Sequence, residues 1–265
     1  MKVLITGGKG YIATNIIANA PFRVGICDYE TFLPPAHKLK REHLIEYDAV
    51  VHLAALSGIF ACEESPEEAC VDNILAAGNV FNLATELRIP VVFTSSQAAK
   101  DPNSSTYANM KWVCENLAKY FNNNCGNIYV VRLANVYGGY EYLTKKQTCV
   151  KQFITQFKQD KPLEVHGDGN QKRDFVHVFD VVEAIITILD KMPDIKHPID
   201  IGTGIGTSIM DLVNMFPRKH NQHYKFEDSR NAGAESSVAD TSLLEEIGFK
   251  CERKLEDYIK GEING

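Results

Sequence analysis

Short, nearly continuous apolar runs alternate with helical patterns through the first half of the chain. The runs Lys2–Ile5, Arg23–Asp28, Asp48–Ala54, Val91–Ser95 and Ile128–Leu133 predict strands. Between them, Tyr11–Ala20, Pro66–Leu87 and Tyr107–Asn122 carry helical patterns. Strands that are apolar without alternation are buried on both faces. With helices between them, they predict a doubly wound parallel sheet, an α/β Rossmann architecture. After Gly139 the rhythm changes. Helices are expected over Cys149–Asp160 and Val178–Lys191, a turn at Gly167–Asn170, and a last strand at Ile199–Gly202. The expected division is a dinucleotide-binding domain over 1–140 plus 172–204. A small C-terminal substrate-binding cap takes 141–171 plus 205–265.

The turn after the first strand reads Thr6-Gly7-Gly8-Lys9-Gly10-Tyr11-Ile12-Ala13. Glycines let the chain take positive φ and approach phosphate oxygens closely. The helix that follows offers unpaired N–H groups to an anion. Asp28 ends the second strand, 18 residues after Gly10. That spacing suits a carboxylate that takes adenosine ribose hydroxyls and repels a 2′-phosphate, so NAD is favoured over NADP.

Tyr107 and Lys111 stand four apart on one expected helix and so share a face. An ammonium beside a phenol favours phenolate, so a lowered Tyr107 pKa and a general base are expected. Thr94-Ser95-Ser96 closes a strand at its carboxyl end, where doubly wound sheets bind ligands.

Composition narrows the ligand classes. Lys and Arg number 28 against 34 Asp and Glu, a net charge of −6. No basic tract stands out, which argues against nucleic acid. No apolar run approaches the roughly 20 residues that cross a bilayer. Seven cysteines without a C-x-x-C pair fit reduced thiols, and a cytoplasmic location is expected. No ligand set with metal spacing occurs, so no metal is expected; Asp168 and Asp174 read as turn chemistry.

Taken together, the chain resembles the extended short-chain dehydrogenases/reductases, in the NAD-dependent epimerase/dehydratase family that acts on nucleotide sugars. The matching residues run nearly end to end: the glycine turn, Asp28, His52-Leu53-Ala54-Ala55, Asn73 with Gly78, Thr94-Ser95-Ser96, and Tyr107-x-x-x-Lys111. They continue through Arg132–Gly138, Gly167-Asp168-Gly169, Arg173–Asp180, Ile201–Gly204 and Ala239–Ser242.

The resemblance implies roles. Gly7, Gly10, Tyr11 and Ile12 hold the NAD pyrophosphate, Asp28 the adenosine ribose, and Leu53, Ala54 and Ala55 line the cofactor path. Ser96 and Tyr107 do the proton chemistry. Lys111 tunes Tyr107 and holds the nicotinamide ribose. Asn135 contacts the sugar or its phosphate, and Arg173 and Arg230 clamp the diphosphate. His52 and His177 fall at positions that are mostly structural. The implied activity is a nucleotide-sugar 4-epimerase working through a 4-keto intermediate, as a homodimer.

Four departures shape the alternatives. Gln97 and Ala98 replace the Asp and Glu with which 4,6-dehydratases eliminate water, so that activity is disfavoured. The loop from Ser96 to Tyr107 is short. Pro34–Arg41 stands where an acidic strand end usually meets adenine. The whole chain is short for the family, with a reduced cap. A 4-ketosugar reductase is therefore a competing reading. A dinucleotide-sensing or partner-binding protein on the same fold is a third, against which Ser96, Tyr107 and Lys111 speak.

Overall fold

The computed structural model describes residues 1–29, 31, 33–140, 148–218, 223–228 and 236–265. The strands are β1 (Lys2–Thr6), β2 (Arg23–Cys27), β3 (Ala49–His52), β4 (Val91–Ser96), β5 (Ile128–Leu133) and a sixth at Ile199–Ile201. They form one all-parallel sheet in the order sixth strand, β5, β4, β3, β1, β2. The chain leaves β1 for β2 on one side, then crosses to β3 on the other. Ligands bind outside the carboxyl ends of the strands at such a switch point.

Period-two alternation explains the two covered faces. Val3 and Ile5 of β1 point into one core with Val51, Val131, Ile185 and Ile188. Leu4, between them, points into the opposite core with Val50, Phe81, Phe93 and Cys114. Helices Tyr11–Asn19 and Val178–Lys191 cover the first face. Helices Ala76–Leu87 and Thr106–Asn123 cover the second.

A separate core gathers Tyr137, Phe153, Leu163, Val165, Leu212, Phe216 and Ile259. It is bounded by the helix Cys149–Lys158, the parallel pair Leu163–His166 with Tyr224–Glu227, and the helix Leu255–Asn264. Leu244, Ile247 and Cys251 instead pack into the first sheet core. Part of the stretch expected in the cap therefore rests on the sheet.

The single long helix expected over Pro66–Leu87 is interrupted. A short helix Pro66–Ala69 runs into a wide π turn at Cys70–Leu75, and regular helix resumes at Ala76. A π turn inserts extra backbone and re-aims the side chains it carries. Here it buries Asn73, whose Nδ2 donates to the Leu56 carbonyl at 3.2 Å. No helix among the described residues is long and apolar enough to cross a membrane.

Candidate active site

The glycine turn is built by close packing. Gly7 takes φ +71°, and a Cβ there would sit 2.7 Å from the Ala54 amide nitrogen. Only glycine lets the turn after β1 approach the segment after β3 this closely. Gly10 precedes the helix Tyr11–Asn19 with no side chain capping its first turn. The Tyr11 hydroxyl donates to the Gly138 carbonyl. Asp28 is held against the same turn: Oδ2 accepts from the Lys9 amide at 2.8 Å and Oδ1 from the Tyr29 amide at 2.7 Å.

These parts enclose a cavity of about 400 Å³. Gly7, Gly10, Tyr11, Ile12 and Asp28 line one side, with Leu53, Ala54 and Ala55 across from them. The close-packed glycine, the uncapped helix start and the fixed carboxylate fit a dinucleotide.

A second cavity, about 380 Å³, opens beside Ser96 and Tyr107 and takes in Asn135 and Arg173. Ser96 ends β4, Tyr107 lies in the first turn of the helix Thr106–Asn123, and Asn135 opens the strand Asn135–Tyr137. Arg173 sits on the two-residue strand Lys172–Arg173, paired with Thr207–Ser208 and Ser236–Ser237. Arg230 lies outside the described residues.

The structure corrects one expectation. Burial pushes the Tyr107 phenol up to about 12, and a hydrogen bond with Ser96 offsets this only partly. Lys111 does not hold it down. Its Nζ lies 5.9 Å from the Tyr107 ring centre and donates instead to the Thr94 carbonyl at 2.8 Å. Burial also lowers the Lys111 pKa. Desolvation opposes both charged forms here and outweighs the expected help from the ammonium.

His52 is buried, with Nδ1 2.6 Å from the Thr6 hydroxyl. Burial, then the Lys111 charge, pushes it down to about 3, so it is neutral. His177 caps the helix Val178–Lys191, its Nδ1 accepting from the Phe179 amide. Both histidines have local structural tasks.

Residue order along the chain left Glu115 unmarked, and the contacts of Asp174 and Gln97 unforeseen. Glu115 binds the Arg132 guanidinium at both carboxylate oxygens, 2.9 and 2.6 Å, and accepts from the Ser95 hydroxyl at 2.6 Å. This joins β4, β5 and the Tyr107 helix directly behind Ser96. Its one sequence signal is position, four after Lys111 on the same helical face. The buried Asp174 carboxylate accepts from the amides of Thr203, Gly204 and Ala239 and from the Thr203 hydroxyl. Its backbone carbonyl accepts from the Asn135 amide. Three separate segments thus converge on the residue next to Arg173. Gln97 is buried, and its Nε2 donates to the Arg132 carbonyl at 3.4 Å.

Residues 35–202 match the NAD dependent epimerase/dehydratase family, well over half of the chain. The chain belongs to that family. Membership makes NAD the cofactor; the glycine turn precedes the matched residues. One relative is a putative UDP-glucose 4-epimerase of Methanocaldococcus jannaschii, 27% identical over 99% of this chain and 97% of the relative. A dTDP-4-dehydro-6-deoxy-D-allose reductase of Streptomyces is 27% identical over 76% of this chain and 68% of its own length. Among solved structures, the UDP-N-acetylglucosamine 4-epimerase of Methanobrevibacter ruminantium, in complex with UDP-N-acetylmuramic acid, superposes with a TM-score of 0.84. It is 25% identical, with 99% of this chain and 97% of that one covered.

Proposed function

We propose that this chain is a NAD-dependent nucleotide-sugar epimerase acting at C4 through a transient 4-keto sugar. The observation that carries the reading is the second cavity: Ser96, Tyr107, Asn135 and Arg173 line one space beside the dinucleotide cavity. NAD, when bound, supplies a hydride acceptor and donor and a positive ring charge. The positive ring charge would favour the Tyr107 phenolate against the burial that raises its pKa. As phenolate, Tyr107 takes the proton of the sugar hydroxyl as its carbon is oxidised and returns it when the opposite face is reduced. Ser96 shares the hydrogen bond to that oxygen. Lys111 anchors the Tyr107 helix to the end of β4 and reaches toward the nicotinamide ribose. Asn135 meets the sugar, and Arg173 and Arg230 take the diphosphate, for which a bidentate guanidinium is suited.

In this reading the sheet with its two covered faces is the dinucleotide unit and the separate core the sugar-nucleotide unit, with 242–251 riding on the sheet. The working form is a homodimer in the cytoplasm. Gln97 and Ala98 supply no carboxyl for water elimination, which weighs against a 4,6-dehydratase. The reductase relative supports a second reading, a 4-ketosugar reductase.

A screen of UDP-, dTDP-, GDP- and CDP-sugars, with and without added NAD(H), tests the assignment. Product from a sugar nucleotide without net use of reduced cofactor is expected. Product only from 4-ketosugars, with stoichiometric NADH consumption, selects the reductase. Turnover of nothing sinks both.

A further inference from the structure

The cofactor cavity continues past Asp28, and what closes it there comes from elements with no obvious link in sequence. Tyr29 follows Asp28 directly, and its hydroxyl donates to Asp72 Oδ1 at 2.6 Å. Asp72 lies in the π turn Cys70–Leu75. His37 stands beside them, with Nδ1 3.8 Å from Asp72 Oδ1, too far for a hydrogen bond. That nitrogen is buried and has no hydrogen-bond partner. Tyr29, His37 and Asp72 all line the dinucleotide cavity, with Pro35, Ala36 and Ala76.

The Pro34–Arg41 stretch, which replaces an acidic strand end, therefore does not leave this end of the cavity open. Ala36–Lys38 forms a single 3₁₀ turn. Asn79 Nδ2 pins it by donating to the carbonyls of Ala36 at 2.9 Å and Leu39 at 3.0 Å. The result is a pocket end with small apolar walls and a polar edge. A purine has that shape and chemistry: flat apolar faces and an edge of donors and acceptors. With pyrophosphate at Gly10 and ribose at Asp28, the base falls at this end.

The polar edge selects among bases. Tyr29 engages Asp72 Oδ1, and among the described residues Oδ2 accepts no hydrogen bond. A carboxylate oxygen is an acceptor only, so it rewards an exocyclic amino group and penalises a carbonyl in its place. We infer that Asp72, delivered by the π turn and oriented by Tyr29, is the specificity-determining contact for the 6-amino group of adenine. His37 completes the edge. The inference rests on NAD being the dinucleotide bound.

Calorimetry on the full chain tests this, using NAD and its deaminated analogue, nicotinamide hypoxanthine dinucleotide, in which the amino group is a carbonyl. The wild-type chain is expected to bind NAD roughly tenfold to a hundredfold more tightly, the value of one charge-assisted hydrogen bond. Asp72→Ala should weaken NAD by that factor and leave the analogue within about twofold, so the preference disappears. Tyr29→Phe, which keeps the carboxylate, should retain the preference. Equal wild-type affinity for the two dinucleotides overturns the inference without touching NAD binding, even if Asp72→Ala fails to fold. A preference that survives in Asp72→Ala overturns it too. A wild-type chain that takes neither dinucleotide brings down the NAD reading and this inference together.

Discussion

Lys111 Nζ donates to the backbone carbonyl of Thr94 at 2.8 Å, tying the last residue of the Tyr107–Lys111 motif to the first of Thr94-Ser95-Ser96. Thr94 lines the dinucleotide cavity and Tyr107, one turn before Lys111, lines the second. The lysine thus links a residue of the first cavity's lining to the helix that contributes to the second.

Replacing Tyr107 with Phe removes the phenol and keeps the ring that packs beside Cys62 and Met110. Turnover should fall by about 10² to 10⁴, the range for losing a general base. NAD affinity should change little. Steady-state kinetics with a dinucleotide titration check this, and activity within a few-fold of wild type removes Tyr107 from the mechanism.

Asp28 should decide between the two nicotinamide dinucleotides. Fluorescence titration is expected to give at least tenfold weaker binding of NADP than of NAD, and Asp28→Ala should weaken NAD by roughly tenfold. A wild-type preference for NADP contradicts the assignment.

Arg173→Ala should weaken a free nucleoside diphosphate tenfold to a hundredfold, the value of a charge-assisted contact. Arg230→Ala is expected to act in the same direction. NAD affinity should hold in both. Calorimetry that finds NAD falling in step with the nucleotide places the clamp elsewhere.

His52 predicts an acid weakness. Its folded pKa, pushed down to about 3 by burial, lies below its ordinary value of 6.5. Between those values the unfolded chain binds the extra proton, so acid favours unfolding. The stability is fully present above pH 6.5 and is lost as pH falls toward 3, by about 1.4 kcal/mol per unit. Denaturant melts from pH 7 to 4 should show this slope in the wild type, and His52→Gln should flatten it. Parallel curves for the two proteins dismiss the histidine as the cause.

The homodimer is expected from the outer face of the Tyr107 helix. Met110 is buried, and Leu117 and Phe121 pack on the sheet core. Trp112 and Tyr120 remain 43% and 63% exposed, with Phe60 and Leu75 also on the surface. Light scattering at micromolar concentration should give twice the chain mass, and Trp112→Glu should halve it. A monomeric wild type rules the dimer out.

What the residue order made legible follows from range. The six strands were readable because each is a short, mostly apolar run, five of them buried and only the edge strand β2 half-exposed, and the turn and the Tyr107–Lys111 pair because their spacing is local. The π turn was not, since Pro66–Leu87 reads as helix with or without an inserted residue. Nor were the convergence of three segments on Asp174 and the meeting of Tyr29 with Asp72, 43 positions apart. Such contacts are set by which loops the sheet order brings together. The Tyr107 pKa was misjudged for a related reason: proximity on a helix is visible in sequence, but the cost of burial is not.

The separate core draws Tyr137, Phe153, Leu212 and Ile259 from more than a hundred positions of chain, and its helix Leu255–Asn264 comes last. Contacts of such separation are slow to form and wait on loop closure. On a translating ribosome, β1 through β5 emerge well before Ile259. Synthesis therefore imposes an order on assembly: five strands can pair early, while the separate core and the part of the sheet core closed by Leu244, Ile247 and Cys251 wait, and a stalled chain exposes apolar faces that chaperones would have to shield.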